Sequence, residues 1–566
     1  MGYAATRSLE RVAAALGGLG PAPIAFEAAR DIPQGGVLLA VPALLAVGLF
    51  EHSESLYALP QGFYGLSSVF LLLALMALGR IGSMEQLRYV APGEWGNLLG
   101  LDRIPEVRTL RAKLDSLCSE LGRAARWNAA LAKDWMAQHQ PPEGLAFYVD
   151  GHVRVYHGQM TKLPRHYVAR QRFYMRATVD YWVNALDGQP FFRINKEVDP
   201  GLVAMLSNEV APWLEANAPL SEAQRQQMEA DPRVPRFTVV FDREGYSPEL
   251  FQKLQEKRIA VLTYHRYPGE DWRLEEFRQQ TVTLANGEMV EMKLAERGTR
   301  LGNHLWTREV RKLTPDGHQV PILSTHFQGD AASQAVRLMA RWSQENFFRY
   351  MRQHFGLDAL AEYGTEPVPA TVTVLNPAWR KLDREVRQKH TQLQRYRQIQ
   401  QSVCLDPALT VVQVNCYERQ QGQLHEQMEN TERELEELKK QRKETPHHIP
   451  VQDLPESERF TRLLTERKHF TDTIKMIAYR AETSMAVTVR EKLARADDAR
   501  ALLRQIYDTE VDLLPDPQAK TLTVCLHHLT QAAHDEAAHH LCEELNATET
   551  VFPGTDLRLV YKIGSS

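Results

Sequence analysis

Three acidic residues in this chain have the type and placement needed to hold a divalent cation. Asp150 interrupts an apolar, strand-like pattern, AFYVDGHV, and Asp242 ends a second one, FTVVFDREG. A carboxylate inside or at the end of a buried strand is costly unless another group pairs with it. Mg²⁺ binds one or two protein carboxylates and leaves its other positions to water or phosphate. The two acids therefore predict a shared cation site.

Glu345 is the third candidate, in the helical pattern ARWSQENFFRYMRQ. At 100° per residue it shares one side of the helix, within about 80°, with Arg341, Arg349 and Arg352. Arginines keep a nearby carboxylate ionised and can hold a phosphate bidentately. An ordinary surface salt bridge between residues four apart explains the same pattern, and the helix alone favours that explanation.

Carboxylates of this kind are suited to phosphoryl transfer. Two metal ions about 4 Å apart can activate a water or a 3′-hydroxyl and stabilise the leaving oxygen. This chemistry needs no cysteine, histidine or lysine nucleophile. It does need a fold that brings Asp150, Asp242 and Glu345 together from distant parts of the chain. Asp180, in a neighbouring strand-like segment, is an alternative to Asp150.

A basic and aromatic segment follows Asp150 directly. Residues 151–179 contain no Asp or Glu. Their cations are Arg154, Lys162, Arg165, Arg170, Arg172 and Arg176, and the interleaved aromatic residues are Tyr156, Tyr167, Phe173 and Tyr174. Such a segment can follow a phosphate backbone and stack bases, so it favours a nucleic acid substrate. The alternative is a surface hairpin with ordinary arginine usage.

A second basic element lies in a run of three short helical patterns over 91–140. The middle helix has Leu110 and Leu114 on its apolar side, with Arg108 and Arg111 off that side. A helix, a tight turn and a basic amphipathic helix follow helix-turn-helix order. The spacing fits DNA binding and ordinary three-helix packing equally well.

The length of 566 residues and the periodicities predict several domains around an α/β core. We expect a helical domain at 1–90, the helix-turn-helix-like region at 91–140, an α/β domain at 141–365 with an antiparallel β insertion at about 271–330, and a C-terminal part at 366–566. The C-terminal part combines a coiled-coil-like helical hairpin with a small α+β region.

Composition excludes several classes of protein. With 43% hydrophobic and 24% charged residues, the chain is neither disordered nor a disulfide scaffold. The net charge of −4 does not by itself indicate nucleic acid. Five scattered cysteines without a C-x-x-C pair fit a reducing cytosol, and the crowded histidines near the C-terminus favour a solvated helix face over zinc. The longest apolar run, 69–78, is too short to span a membrane, so we expect a soluble cytoplasmic protein.

The order FYVDGHVRVYHG, VVFDREGYSPELF, a β-rich insertion and RWSQENFFRY resembles bacterial insertion-sequence transposases of the DDE type. The resemblance is to the branch with an RNase H-like catalytic core and a β-strand insertion before the glutamate. That branch carries a helix signature of Tyr, two residues, Arg, three residues, Glu, six residues and Lys. Arg341 and Glu345 match it, Arg352 stands at the Lys position, and Leu338 departs from the Tyr.

The resemblance implies that Asp150, Asp242 and Glu345 form a catalytic triad that binds Mg²⁺, with Mn²⁺ as a possible substitute. It implies an enzyme that cuts double-stranded DNA at transposon ends and joins the 3′-hydroxyl ends to target DNA. A homodimer in a synaptic complex, associated with the bacterial nucleoid, is expected. The alternatives are an RNase H-like nuclease without joining activity and a catalytically inactive DNA-binding or scaffold protein derived from a transposase.

Overall fold

The computed structural model shows a mixed α/β protein with mixed sheets. It describes residues 6–138, 141, 144–158, 161–168, 171–196, 198–284, 288–359, 361, 364–402 and 411–564. Within these ranges, no helix combines the length and the apolar character needed to cross a membrane.

The helices and strands are numbered in chain order. The helices are α1 Ser8–Ala15, α2 Val41–Ala46, α3 Ser53–Leu56, α4 Leu66–Leu78, α5 Pro92–Asn97, α6 Val107–Leu117, α7 Arg123–Gln138, α8 Leu202–Met205, α9 Ala211–Asn217, α10 Glu222–Ala230, α11 Pro248–Glu256, α12 Ala331–Met339, α13 Arg341–His354, α14 Pro377–Ser402, α15 Val411–Glu444, α16 Glu466–Arg490, α17 Ala499–Asp508 and α18 Ala532–Ala547. The strands are β1 Ala29–Ile32, β2 Ala146–Val155, β3 Arg165–Val168, β4 Phe173–Asn184, β5 Pro190–Lys196, β6 Phe237–Val240, β7 Ile259–Tyr264, β8 Arg278–Thr283, β9 Met289–Arg300, β10 Trp306–Leu313, β11 Gln319–Ser324, β12 Thr365–Pro367, β13 Thr373–Leu375, β14 His448–Pro450, β15 Thr461–Leu463, β16 Val511–Asp516, β17 Thr521–Leu526 and β18 Arg558–Ile563.

The chain divides into two compact units. The first unit contains 1–155, 179–364 and 464–566, and the second contains 156–178 and 365–463. Each unit has its own apolar core.

The largest sheet of the first unit carries the acids predicted to act together. Its strands follow the order β5, β4, β2, β6, β7, β11, β10, β9 and β8. Strands β2, β6 and β7 are parallel, whereas the hairpins β8–β9 and β10–β11 are antiparallel. These hairpins lie between β7 and α12, which is where the sequence predicts an antiparallel insertion.

The segments predicted as separate N-terminal and C-terminal domains share one sheet and one core in the structure. β1 pairs antiparallel with β16, followed by β17 and β18. The hydrophobic helices α2 and α4 bury side chains in the same cluster as α16 and α17. The apolar excess of residues 1–90 is therefore explained by packing within this chain.

The second unit contains the two longest charged helices as a packed pair. Val386, Leu393 and Leu435 are buried between α14 and α15, with Met428 and Leu438 against them. These apolar residues recur on one side of each helix, as expected of the coiled-coil-like helical hairpin predicted for this part of the chain.

Candidate active site

Two neighbouring parallel strands place Asp150 and Asp242 at the same level of the sheet. Tyr148 of β2 lies opposite Val240, the last residue of β6. Asp150 comes two residues later within β2, so it shares the face of Tyr148 because side chains alternate along a strand. Asp242 comes two residues after β6 ends, where the backbone is still extended. Adjacent strands are about 4.8 Å apart, so this register brings the two carboxylates close together.

The surroundings of Asp150 disfavour its ionised form. Burial raises the pKa of Asp150 to about 7, Asp242 adds to the rise, and Arg341 opposes it. Like charges close together raise the pKa of a carboxyl, and a cation bound between them would relieve both effects. Asp242 caps the short helical turn that follows β6, since its Oδ1 accepts a hydrogen bond of 2.9 Å from the backbone N–H of Glu244.

The helical segment that carries Glu345 is broken rather than continuous. α12 ends at Met339 and α13 begins at Arg341, although the sequence predicts one helix over 330–357. The break lets the two helices bury different faces. α12 packs into the core that contains Tyr148, whereas Phe347 and Met351 of α13 pack into the larger core.

Gln344 anchors α13 to the sheet next to the acids. Its buried Nε2 donates to the carbonyl oxygen of Tyr148 at 3.0 Å, to Asn184 Oδ1 at 3.0 Å and to the carbonyl oxygen of Trp182 at 3.3 Å. The following residue, Glu345, is thereby held beside the middle of β2. The sequence does not single out Gln344, because an uncharged polar residue inside a helix pattern gives no sign of partners 160 to 196 residues away.

Arg341 links two of the three predicted acids. Its guanidinium lies 2.9 Å from Glu345 Oε1 and 3.5 Å from Asp150 Oδ2. The three predicted ligands are not among the groups whose ligand atoms all lie within 4.8 Å of one another. Asp150, Asp242 and Glu345 lie in the same region of the first unit, and the Arg341 guanidinium lies between Asp150 and Glu345.

Helix α16 holds the end of α13. Lys468 Nζ donates to the carbonyl oxygen of Leu357 at 2.9 Å, and Lys475 Nζ donates to that of Gly356 at 3.1 Å. Both carbonyls belong to the turn that follows α13, and positive groups near the carboxyl end of a helix favour its dipole. Tyr350 of α13 also donates a hydrogen bond to Glu482 of α16. These contacts restrict how far α13 can move relative to the sheet.

Arg154 and Asp180 form the centre of a buried ion-pair network. Asp180 Oδ2 lies 2.6 Å from Arg154 Nε, and its Oδ1 lies 2.7 Å from Arg193 Nη1. Arg193 also pairs with Asp472 at 3.3 Å, and Asp472 pairs with Lys468. Desolvation opposes ionisation, but the two guanidinium groups hold the pKa of Asp180 below its usual value.

This network corrects one DNA-binding prediction and removes one alternative. Arg154 is buried against Asp180, so it cannot reach a phosphate at the surface. Asp180 is neutralised by two arginines, so it does not offer the free carboxylate that would let it replace Asp150. The composition of residues 151–179 does not distinguish Arg154 from the exposed cations of this segment, because Asp180, the acid that pairs with Arg154, lies outside it.

The other basic residues predicted to bind DNA have varied environments. Arg349, Lys162, Arg165, Arg172 and Arg108 are exposed, and Arg352 is half-buried. Arg111 is exposed and paired with Glu85. Arg170 lies outside the described residues. The α6 helix buries Leu110, Leu114 and Leu117 and leaves Arg108 and Arg111 on its outer side.

The C-terminal histidines do not converge on a common metal site in the described part of the chain. His527 lies 3.1 Å from Asp512, and with Asp31 these two form a group whose ligand atoms lie within 4.8 Å of one another. His528 pairs instead with Asp535 at 2.8 Å. The contacts of His527 and His528 are therefore with neighbouring acids.

Replacing Gln344 with leucine is expected to lower the free energy of unfolding by about 1–3 kcal/mol, because the partners of its amide lose their hydrogen bonds inside the core. Urea unfolding followed by circular dichroism measures this change. The matched control is Gln353→Leu, an exposed position on the same helix, for which we expect a change of about 0.5 kcal/mol or less. Equal effects of the two substitutions would contradict the anchoring role of Gln344.

A search of curated proteins finds no match. Among solved structures, the chain is similar to the piggyBac transposase in a synaptic complex with hairpin DNA, with 13% identity over 56% of this chain and 66% of that chain. The TM-score is 0.27, which does not establish a shared fold. A family model described as "Transposase protein" matches residues 2–565. Because this match spans nearly the whole chain, the protein belongs to that transposase family.

Proposed function

We propose that this protein is a DDE-type DNA transposase of the insertion-sequence kind, with its catalytic domain within 141–365. It cuts double-stranded DNA at transposon ends and joins the 3′-hydroxyl ends to target DNA. The observation that carries the proposal is that Asp150 on β2 and Asp242, two residues after the end of the neighbouring parallel strand β6, follow the paired residues Tyr148 and Val240 at the same distance along the chain. Glu345 is linked to Asp150 through Arg341.

The strand order supports an RNase H-like core. Numbered 1 to 5 in chain order, the strands β2, β4, β5, β6 and β7 follow the order 3-2-1-4-5 across the sheet. Strands β2, β6 and β7 are parallel to one another, and this order with these directions is expected of an RNase H-like fold. The hairpins β8–β11 precede the helix with Glu345, as the resemblance to DDE transposases with a β insertion implies.

Asp150 and Asp242 fit a divalent ion such as Mg²⁺, with Mn²⁺ as a substitute, because Mg²⁺ needs only one or two protein carboxylates. Burial raises the pKa of Asp150, and a positive charge beside it would favour the ionised form, which supports the proposal. Binding by all three acids requires Arg341 to leave its position between Asp150 and Glu345. When bound, the metal supplies activation of the attacking water or hydroxyl and stabilisation of the leaving oxygen.

Arg341 positions both the acids and the DNA in this proposal. It neutralises Asp150 and Glu345 while the acids hold no cation. Its Nη1 is buried and makes no hydrogen bond within the described part of the chain. Once Arg341 leaves this buried position beside Asp150, its guanidinium can donate to a phosphate oxygen, and exposed Arg349 and half-buried Arg352 extend the positive side of α13.

Mg²⁺ is expected to stabilise the folded chain through Asp150. At ten times its dissociation constant, an ion that binds only the folded state should raise the Tm by roughly 1–2 °C. Scanning fluorimetry in MgCl₂ and in EDTA measures this shift. Asp150→Asn should abolish it, whereas Asp497→Asn, at an exposed position, should keep it. A Mg²⁺ shift that survives in Asp150→Asn would contradict metal binding at this acid.

A strand-joining assay tests the proposed function directly. The full chain is incubated with a labelled, pre-cut transposon end and a supercoiled plasmid, with Mg²⁺ or Mn²⁺. Labelled DNA joined to the plasmid supports a transposase. Nicked plasmid without joined product indicates the alternative, a nuclease, and a gel shift without any change in the DNA indicates a scaffold protein.

The proposal includes a homodimer that holds two transposon ends in a synaptic complex, in a bacterial cytoplasm. Mass photometry of the chain with and without a labelled end tests this part. A mass of two chains on two DNA ends supports it, and one chain per end at saturating DNA contradicts it.

A further inference from the structure

One face of the hairpin formed by β3 and the start of β4 combines two arginines with two tyrosines. Arg165 lies opposite Arg176, and Tyr167 lies opposite Tyr174. Because side chains alternate along each strand, these four residues share a face of the hairpin. The first pair is cationic and the second is aromatic.

The tyrosine pair is open to solvent. Tyr167 is 51% exposed and Tyr174 is 61% exposed. Their ring centroids are 5.4 Å apart and the ring planes are tilted by 59°. The adjacent Phe173 is 68% exposed. Phe173 lies opposite Val168 and therefore belongs to the other face, so Tyr167 and Tyr174 form the exposed aromatic surface of this face, which a binding partner would cover.

The arginine pair is unfavourable in the free hairpin. Like charges directly opposite each other on neighbouring strands destabilise the pairing. Arg176 Nη1 donates to the carbonyl oxygen of Thr161 at 3.2 Å, whereas Arg165 is exposed. Residues 151–179 contain no acid that could neutralise either one. An anion bound between the two guanidinium groups would relieve this repulsion.

We propose that this face binds a single-stranded segment of DNA. The bases stack on Tyr167 and Tyr174, and the phosphates lie against Arg165 and Arg176. Charge complementarity selects nucleic acid as the partner, and the exposed rings select unstacked bases, because a duplex interior offers no free base face. The exposed Arg172 and Lys162 add positive charge along the same hairpin. This inference rests on the proposed function for the identity of the nucleic acid as DNA.

The test measures binding of the full chain to a fluorescent single-stranded oligonucleotide that contains 2-aminopurine, in EDTA. Tyr167→Ala with Tyr174→Ala is expected to weaken binding about tenfold or more and to abolish quenching of 2-aminopurine. Tyr167→Phe with Tyr174→Phe should bind like the wild type, because stacking uses the ring and not the hydroxyl. The matched control is Tyr89→Ala, at an exposed position outside the hairpin, which should change the affinity less than about twofold.

The arginines have a separate readout. Arg165→Ala should reduce the slope of log affinity against log salt by about 0.7, because one phosphate contact on a single strand is lost. Binding and quenching that are unchanged in the double alanine variant would overturn the inference. It would also be overturned if that variant altered the oligomeric state and left oligonucleotide binding intact, because the face would then be a protein contact.

The failure of this inference is distinguishable from that of the proposed function. The binding assay contains no divalent metal and needs no strand transfer. Quenching that depends on the tyrosines, in a chain without joining activity, would support the hairpin inference and contradict the transposase reaction. If the chain joins DNA and its double alanine variant binds the oligonucleotide normally, the result would support the proposed function and contradict the hairpin inference.

Discussion

Asp150→Asn, Asp242→Asn and Glu345→Gln are each expected to lower strand joining at least about a hundredfold. Each substitution removes one anionic ligand and leaves the side chain nearly the same size. Metal-ion catalysis contributes several kcal/mol to such reactions, and about 1.4 kcal/mol corresponds to a factor of ten in rate. The loss should therefore far exceed any change in DNA affinity.

The measurement is the amount of labelled end joined to plasmid, with anisotropy on the same DNA as the binding readout. Asp497→Asn is the matched control and should join normally. Arg341→Ala should lose less activity than the acid variants, because it positions groups and supplies no metal ligand. Near-normal joining by any one acid variant would remove that residue from the triad.

Asp180→Asn is expected to lower the free energy of unfolding by about 3–5 kcal/mol. The substitution leaves Arg154 and Arg193 inside the protein without their shared counter-charge. Breaking a buried ion pair costs more than the pair contributes, since the remaining charge has lost its solvation. This is a large fraction of the stability of a typical domain.

Urea unfolding followed by tryptophan fluorescence measures this effect. Asp187→Asn is the control, because Asp187 is exposed in the turn that follows the same strand. We expect a change of about 0.5 kcal/mol or less for the control. A loss below about 1 kcal/mol for Asp180→Asn would mean that the network is not a major contributor to stability.

The candidate acids were predictable because each one disturbs a local pattern. A carboxylate in an apolar strand is visible within ten residues of sequence, as it is for Asp150 and Asp242. The packing of α14 against α15 was predictable because apolar residues recur along both helices, and Val386, Leu393 and Leu435 are buried together. The transposase prediction is confirmed at the level of the family, and the DDE type stays a proposal.

The environment of each charge was not predictable in the same way. Arg154 and Arg165 look alike in the basic segment, but one is buried on Asp180 and the other is exposed. The role of Gln344 depends on the carbonyl oxygens of Tyr148 and Trp182. None of these partners lies within a helical turn or a strand repeat of the residue concerned, so no periodicity reports them.

The sequence by itself determined the apolar runs that make β2 and β6 strands, the acids within or just after those runs, and the family of the protein. Only the tertiary structure decided that β1 joins β16, that α13 is separate from α12, and that Arg341 stands between Asp150 and Glu345. The physical reason is the range of the interactions. Local periodicity reports which face of an element is apolar, whereas pairing between distant segments depends on which surfaces meet when the whole chain has closed its loops.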